Sequence, residues 1–157
     1  WLWRVDIQNI SAQTLSCDAI LLQDVGLGDR GFLTNNEAYA SQYLDHHVVQ
    51  HAQCGPVVMS RQNLAQGGAH PWVAHGCLDG AAAYATDAVQ LLGPRYRDSG
   101  LIDAQFDLPG ERLQHEVACP MVQSEPVRLE PGGQASVTFF GLYAPDHPEA
   151  TSDADLT

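Results

Sequence analysis

Over the first nine residues, Trp1, Trp3, Val5 and Ile7 recur at every second position, with Arg4, Asp6 and Gln8 between them. That is the period of a half-buried strand. "NISAQ" turns the chain, and "TLSCDAILLQDV" resumes with aliphatic residues before the glycines stop it. The first two elements are therefore expected to be neighbouring antiparallel strands. "HHVVQHAQCGPVVMSRQ" predicts two strands joined at "AQCG", with Pro56 where a ladder N–H can be spared. In "EPVRLEPGGQASVTFFGLY" the "PGG" separates Val127 and Leu129 from Val137 and Phe139, which predicts a hairpin.

Gly and Pro punctuate the middle of the chain, and its one helix-like piece is "TDAVQLLG". There Thr86 or Asp87 would cap the start, and Gly93-Pro94 would end it. The tail "APDHPEATSDADLT" is acidic and poor in large apolar residues, the composition of a linker or disordered end. Many short strands and few short helices predict an all-β fold, an antiparallel β-sandwich over residues 1–144 followed by an acidic tail over 145–157.

At 157 residues and 45% hydrophobic content the chain suits one domain with a real core. Its net charge is -12 and it contains no Lys, which excludes a phosphate backbone as a natural partner. The longest apolar runs, such as "AILL" and "AAAYA", fall far below the roughly 20 residues a bilayer requires, so no membrane contact is expected. A first residue that is not Met, with no charged-then-apolar leader, suggests a piece of a longer protein. Cys17, Cys54, Cys77 and Cys119 form no C-x-x-C pair. In a chain large enough for a core they read as reduced thiols, hence a cytoplasmic setting.

Gly26, Gly28 and Gly31 in "GLGDRG" match G-x-G-x-x-G after an apolar run. A dinucleotide site also needs a helix beginning at those glycines. "DRGFLTNN" is a poor first turn, and Asp29 would meet phosphate with like charge. A tight loop between β elements, with Gly supplying positive φ, is the better expectation, and no cofactor is implied. His47, His51 and Cys54 suggest zinc only on a helix. On a strand the two histidines stand about 13 Å apart at roughly 3.3 Å per residue, and Val48-Val49 favours a strand. Ordinary surface or hydrogen-bonded histidines are expected there, with no metal. Neither a G-x-S-x-G elbow nor a catalytic-cysteine signature occurs, so no catalytic residue is assigned.

"TNNEAYASQYLDHH" and "SRQN" gather planar hydrogen-bonding groups, and Tyr39, Tyr43, Trp72 and Tyr96 offer flat apolar faces, as sugar recognition requires. The competing expectation is that the tyrosines pack in the core and the amides satisfy loop backbone.

The stretches "LLQDVGLGDRGFLTNNEAYASQYLDHH", "VVMSRQN", "TDAVQLLGPRYRDSG", "HEVACPMVQSEPVRLEPGGQASVTFFGLY" and "PDHP", in that order, resemble the N-terminal β-supersandwich region of glycoside hydrolase family 94. The resemblance is to the 1,2-β-oligoglucan phosphorylases and the related part of cyclic β-1,2-glucan synthetases, formerly glycosyltransferase family 36. It implies a supersandwich of galactose mutarotase-like type, and a parent enzyme that cleaves a β-glucosidic bond with phosphate and inverts the anomeric centre. The catalytic and phosphate-binding residues of such enzymes lie in an (α/α)6 barrel, so none is carried over to this chain. The sandwich would pack on that barrel, support homodimer contacts and lend residues to the active-site rim. For sugar contact the candidates are Asn35, Asn36, Glu37, Tyr39, Tyr43, Asp45 and His46, with Arg61, Gln62 and Asn63. Two functions follow as expectations: a non-catalytic accessory domain, or an independent carbohydrate-binding module for β-glucan.

Overall fold

The computed structural model describes residues 1–100, 107–114 and 117–156. Among the described residues ten strands form three sheets: β1 (Leu2–Gln8), β2 (Leu15–Cys17), β3 (Ile20–Leu22), β4 (Leu44–His51), β5 (Gly55–Gln62), β6 (Trp72–Cys77), β7 (Ala81–Asp87), β8 (Ala118–Ser124), β9 (Val127–Leu129) and β10 (Gln134–Ala144). A five-stranded sheet runs β1-β10-β6-β5-β4, a three-stranded sheet runs β3-β8-β7, and β2 pairs with β9. All named strand pairs are antiparallel. The fold is the expected all-β sandwich.

Between the two larger sheets lie Val58, Cys77, Ala81, Val122, Val137 and Phe139, drawn from five strands of both. These positions come from one face of each strand, so every second residue removes apolar area from water. The opposite face of the five-stranded sheet carries its own apolar layer of Val49, Val57, Met59, Trp72 and Ala74, with Phe140 packed against it.

Several expectations are corrected. β1 does not pair with the strand that follows it, because its partner is β10, with Val5 opposite Val137. "TLSCDAILLQDV" breaks at Asp18-Ala19 into β2 and β3, which join different sheets. The "PGG" turn likewise joins β9 and β10 without pairing them into a hairpin. β6 and β7 lie in the stretch read as irregular, and every residue of β6 is buried. A strand buried on both faces shows no alternation, which removes the signal that identifies half-buried strands.

The helices are α1 (Arg30–Ala40), α2 (Val89–Leu92) and α3 (Tyr96–Ser99). α2 occupies the expected piece: Asp87 Oδ1 accepts from Val89 N, and Gly93 ends the helix at φ 75°. No helix among the described residues is long and apolar enough to cross a membrane. Residues 145–156, expected as linker or disordered end, lie folded against the sheet and include a 3-10 turn at Asp153–Leu156.

Candidate functional site

α1 stands where a tight loop was expected. Asp29 caps it, its Oδ1 accepting from Phe32 N at 2.8 Å, so the acid that argued against phosphate is the group that starts the helix. The glycines before it do not serve positive φ; the left-handed residue in the loop is Leu27, at φ 47°. A Cβ on Gly26 would collide with Leu33, and one on Gly28 with the Phe32 ring. Both glycines instead let α1 fold back closely onto the loop that leads into it.

From this helix the chain delivers the first group of candidate residues. Asn35 and Tyr39 are exposed on α1, while Asn36 departs from helical geometry at φ -129° and donates from Nδ2 to Phe32 O at 3.0 Å. The side chain of Glu37 lies outside the described residues. Tyr43 ends the 3-10 turn Ser41–Tyr43, and its carbonyl accepts from Asn63 N at 2.8 Å. Tyr39 is 58% exposed and Tyr43 42%, so neither packs in the core.

The second group lies on β4 and β5, where Asp45 stands opposite Arg61 and His46 opposite Ser60. These side chains are committed internally. Asp45 Oδ1 accepts from Gln114 Nε2 at 2.8 Å. His46 is buried with Nδ1 2.8 Å from Ser60 Oγ, and its carbonyl accepts from Arg112 Nη1 at 2.7 Å. Gln62 is fully buried; its Nε2 donates to Gly26 O at 3.1 Å and its Oε1 accepts from Leu64 N at 3.0 Å. One buried amide thus ties the "GLGDRG" loop to the sheet.

Arg61 spends its guanidinium on the tail. Nε donates to His147 O at 2.7 Å, Nη2 to Pro148 O at 2.9 Å, and Nη1 to Asn63 Oδ1 at 2.6 Å. Within the tail His147 Nε2 lies 2.8 Å from Asp155 Oδ1, and from β4 His47 Nε2 lies 2.9 Å from the tail's Asp153 Oδ1. His51 faces the tight turn that joins β4 to β5, where its Nδ1 accepts from Gln53 N and Cys54 N, each at 3.2 Å. Both histidines lie on one face of a strand and each is engaged with the chain's own groups. Among the described residues no three His, Cys, Asp or Glu side chains are grouped to hold a metal.

The three buried thiols, Cys54, Cys77 and Cys119, are unsuited to nucleophilic chemistry. All four cysteines are free. Burial, with Asp24 and Asp87 adding to it, pushes Cys119 up to about 12, and burial also raises Cys54 and Cys77. They therefore remain protonated at neutral pH.

The sequence reading missed the outer face of the five-stranded sheet. Val57, Met59, Trp72, Phe140 and Leu142 line an apolar groove there, with Leu156 of the tail at its edge. Its signal was present in the alternation of Val57 with Met59 and of Phe140 with Leu142, which the inward-facing Val58 and Phe139 masked.

The chain is 32% identical over 153 residues to a 1,2-beta-oligoglucan phosphorylase of Listeria innocua serovar 6a (strain ATCC BAA-680 / CLIP 11262), an alignment that covers 96% of the chain and 13% of that protein. The chain thus spans about an eighth of the relative's length. The family model described as SOGP N-terminal domain matches residues 1–141. With both matches running through nearly all of the sandwich, the chain belongs to the SOGP N-terminal domain family.

Proposed function

We propose that this chain is the non-catalytic β-sandwich domain of a β-1,2-glucan-active enzyme, a phosphorylase or the corresponding part of a cyclic β-1,2-glucan synthetase. Its role is to support a separate (α/α)6 catalytic domain. The likeness to the Listeria phosphorylase supports the substrate class. The observation that carries the supporting role is the apolar groove on the outer sheet face, where the exposed Leu2 and Leu142 rim the buried Val57, Met59 and Trp72. A contiguous apolar surface of this kind suits a protein neighbour better than a sugar, whose hydroxyls need polar partners. The exposure of Asn35, Tyr39 and Tyr43 supports assigning them to an active-site rim. The free thiols fit a cytoplasmic setting.

Exposed Tyr39 and Tyr43, close together in sequence, favour the alternative of an independent carbohydrate-binding module. Catalysis is tested by incubating the purified chain with a short β-1,2-glucan and inorganic phosphate. No glucose 1-phosphate is expected, and its release would contradict the non-catalytic role.

A further inference from the structure

Residues 145–156 cross the outer face of the five-stranded sheet. Asp146 Oδ1 accepts from His70 N at 2.8 Å, His147 N donates to His70 O at 2.8 Å, and Asp153 lies against His47 of β4. Beyond these contacts Asp155 and Leu156 join Trp72 and Leu142 in lining the apolar groove.

His147 stands at the centre of the tail's contact, with an acceptor on each ring nitrogen. Nδ1 lies 2.8 Å from the carbonyl oxygen of Glu149, and Nε2 lies 2.8 Å from Asp155 Oδ1. A carbonyl oxygen and an ionised carboxylate can only accept, whereas a neutral imidazole carries a single N–H. Both bonds therefore exist together only in the imidazolium. The neutral ring, in either tautomer, sets a lone pair against one of the two oxygens. The same ring stacks on Trp72, and an indole face holds a cation more firmly than a neutral ring.

We propose that residues 145–156 are a proton-locked strap: doubly protonated His147 holds them across the sheet, and loss of one ring proton releases them, uncovering Trp72 and opening the groove where Asp155 and Leu156 line it. The charged and titratable groups that face His147 are Asp155 from the tail, Arg61 from β5 and His70 from the connection between β5 and β6. His47 of β4 acts on Asp155 from the other side. Burial and Arg61 oppose the charge on His147, and the Glu149 carbonyl and Asp155 prevail over them. The strap is thus closed in mildly acid solution and opens as pH rises through the folded value of His147. This switch is internal to the chain and operates whichever neighbour the groove meets.

The test follows the ring nitrogens of His147 by NMR in the purified chain as the pH is raised from about 6 to about 8. Both N–H groups are expected at the lower end. Loss of one should coincide with a fall of about tenfold or more in amide protection over residues 145–156, once the intrinsic acceleration of exchange by base is divided out. Uptake of a neutral apolar dye should rise over the same interval. Leu142→Asp, at the exposed rim of the groove, should abolish the dye signal and leave the exchange profile as it is. His147→Phe keeps a flat ring for Trp72 but has no proton to lose, so its tail is expected to be open and its dye uptake high at every pH. The ring titration needs no variant to fold. A ring that is neutral throughout, tail protection that does not follow its titration, a dye signal that ignores pH or survives Leu142→Asp, or a pH step retained by His147→Phe would each overturn the proposal.

Discussion

The imidazole of His147 lies stacked on the indole of Trp72, with ring centroids 5.4 Å apart and planes 13° from parallel. Trp72 belongs to the middle of the five-stranded sheet and His147 to the acidic tail, so this contact fixes the tail to the sandwich. Arg61, opposite Trp72 in the ladder, completes the clamp with its bonds to the carbonyls of His147 and Pro148.

Arg61→Lys keeps the charge but loses the planar fork that reaches three acceptors at once. The change is expected to cost about 2 kcal/mol, in the range of hydrogen bonds from a charged donor. Amide exchange in residues 145–156 should accelerate while that of β5 and β6 stays protected. An unchanged tail would show that Arg61 does not hold it.

Tail docking should also depend on pH. Burial disfavours the charge on His147, but its hydrogen bonds to the Glu149 carbonyl and to Asp155 outweigh this and raise its pKa above 6.5. A histidine raised in the folded state stabilises fully below its unfolded pKa, and the contribution is lost as pH rises through the folded value. Asp155, whose pKa is lowered despite burial by Ser152 and His147, acts in the opposite sense: its contribution is present above 3.8 and lost as pH falls through the folded value. The tail is therefore expected to be best protected in mildly acid solution and to loosen as pH rises from 6.5 through the raised folded value of His147. Asp155→Asn should flatten that alkaline dependence in an exchange measurement, and a dependence unaltered by Asp155→Asn would disprove the pairing.

His75 supplies a second pH dependence, of the opposite sign. Burial, with the nearby His46 adding to it, lowers its pKa to about 4. Its Nε2 lies 2.9 Å from Gln23 Oε1, and its buried Nδ1 has no hydrogen-bond partner among the described residues. The unfolded chain takes up this proton near pH 6.5 and the folded chain only near pH 4, so stability should fall across that interval by about 3 kcal/mol. His75→Phe removes the titration, and its acid denaturation profile should be flatter than that of the parent between those values. Parallel profiles would place the acid sensitivity elsewhere.

Two glycines with positive φ should respond very differently to alanine. Gly55, at φ +70°, begins β5, and a Cβ there would strike the carbonyl oxygen of Ala81. Gly67, at φ +61°, has open space around it. Gly55→Ala is expected to cost about 3 kcal/mol and Gly67→Ala about 1 kcal/mol, measured by denaturant unfolding. Equal costs would mean that the approach of β5 to β7 is looser than the geometry indicates.

The strands that could be read directly were those with one wet face or a strong turn. β4 and β5 fall where "HHVVQHAQCGPVVMSRQ", read as two strands joined at "AQCG", places them. β6, buried throughout, and the pairing of β1 with β10 could not be read, because neither burial on both faces nor a partner more than a hundred residues away leaves a local period. α1 was missed for a different reason: "FLTNN" is a weak helix former, and the cap at Asp29 together with the loop tied down by Gln62 overrides that local preference. Among the site candidates, the residue types were legible but their commitments were not. Gln62 faces inward and Arg61 outward under the tail, for reasons set by Gly26 and by His147, both distant along the chain.

Those commitments make the central claim measurable. The polar groups of Arg61, Gln62 and His46 serve the chain's own backbone and side chains, which leaves Asn35, Tyr39 and Tyr43 as the exposed candidates for sugar contact. Calorimetric titration of the purified chain with short β-1,2-glucans tests this most directly. No saturable heat is expected at glucan concentrations up to about 10 mM, where a dissociation constant of 1 mM, or roughly 4 kcal/mol of binding, would already be evident. Saturable binding abolished by Tyr39→Ala or Tyr43→Ala would contradict a purely supporting domain and establish a carbohydrate-binding module.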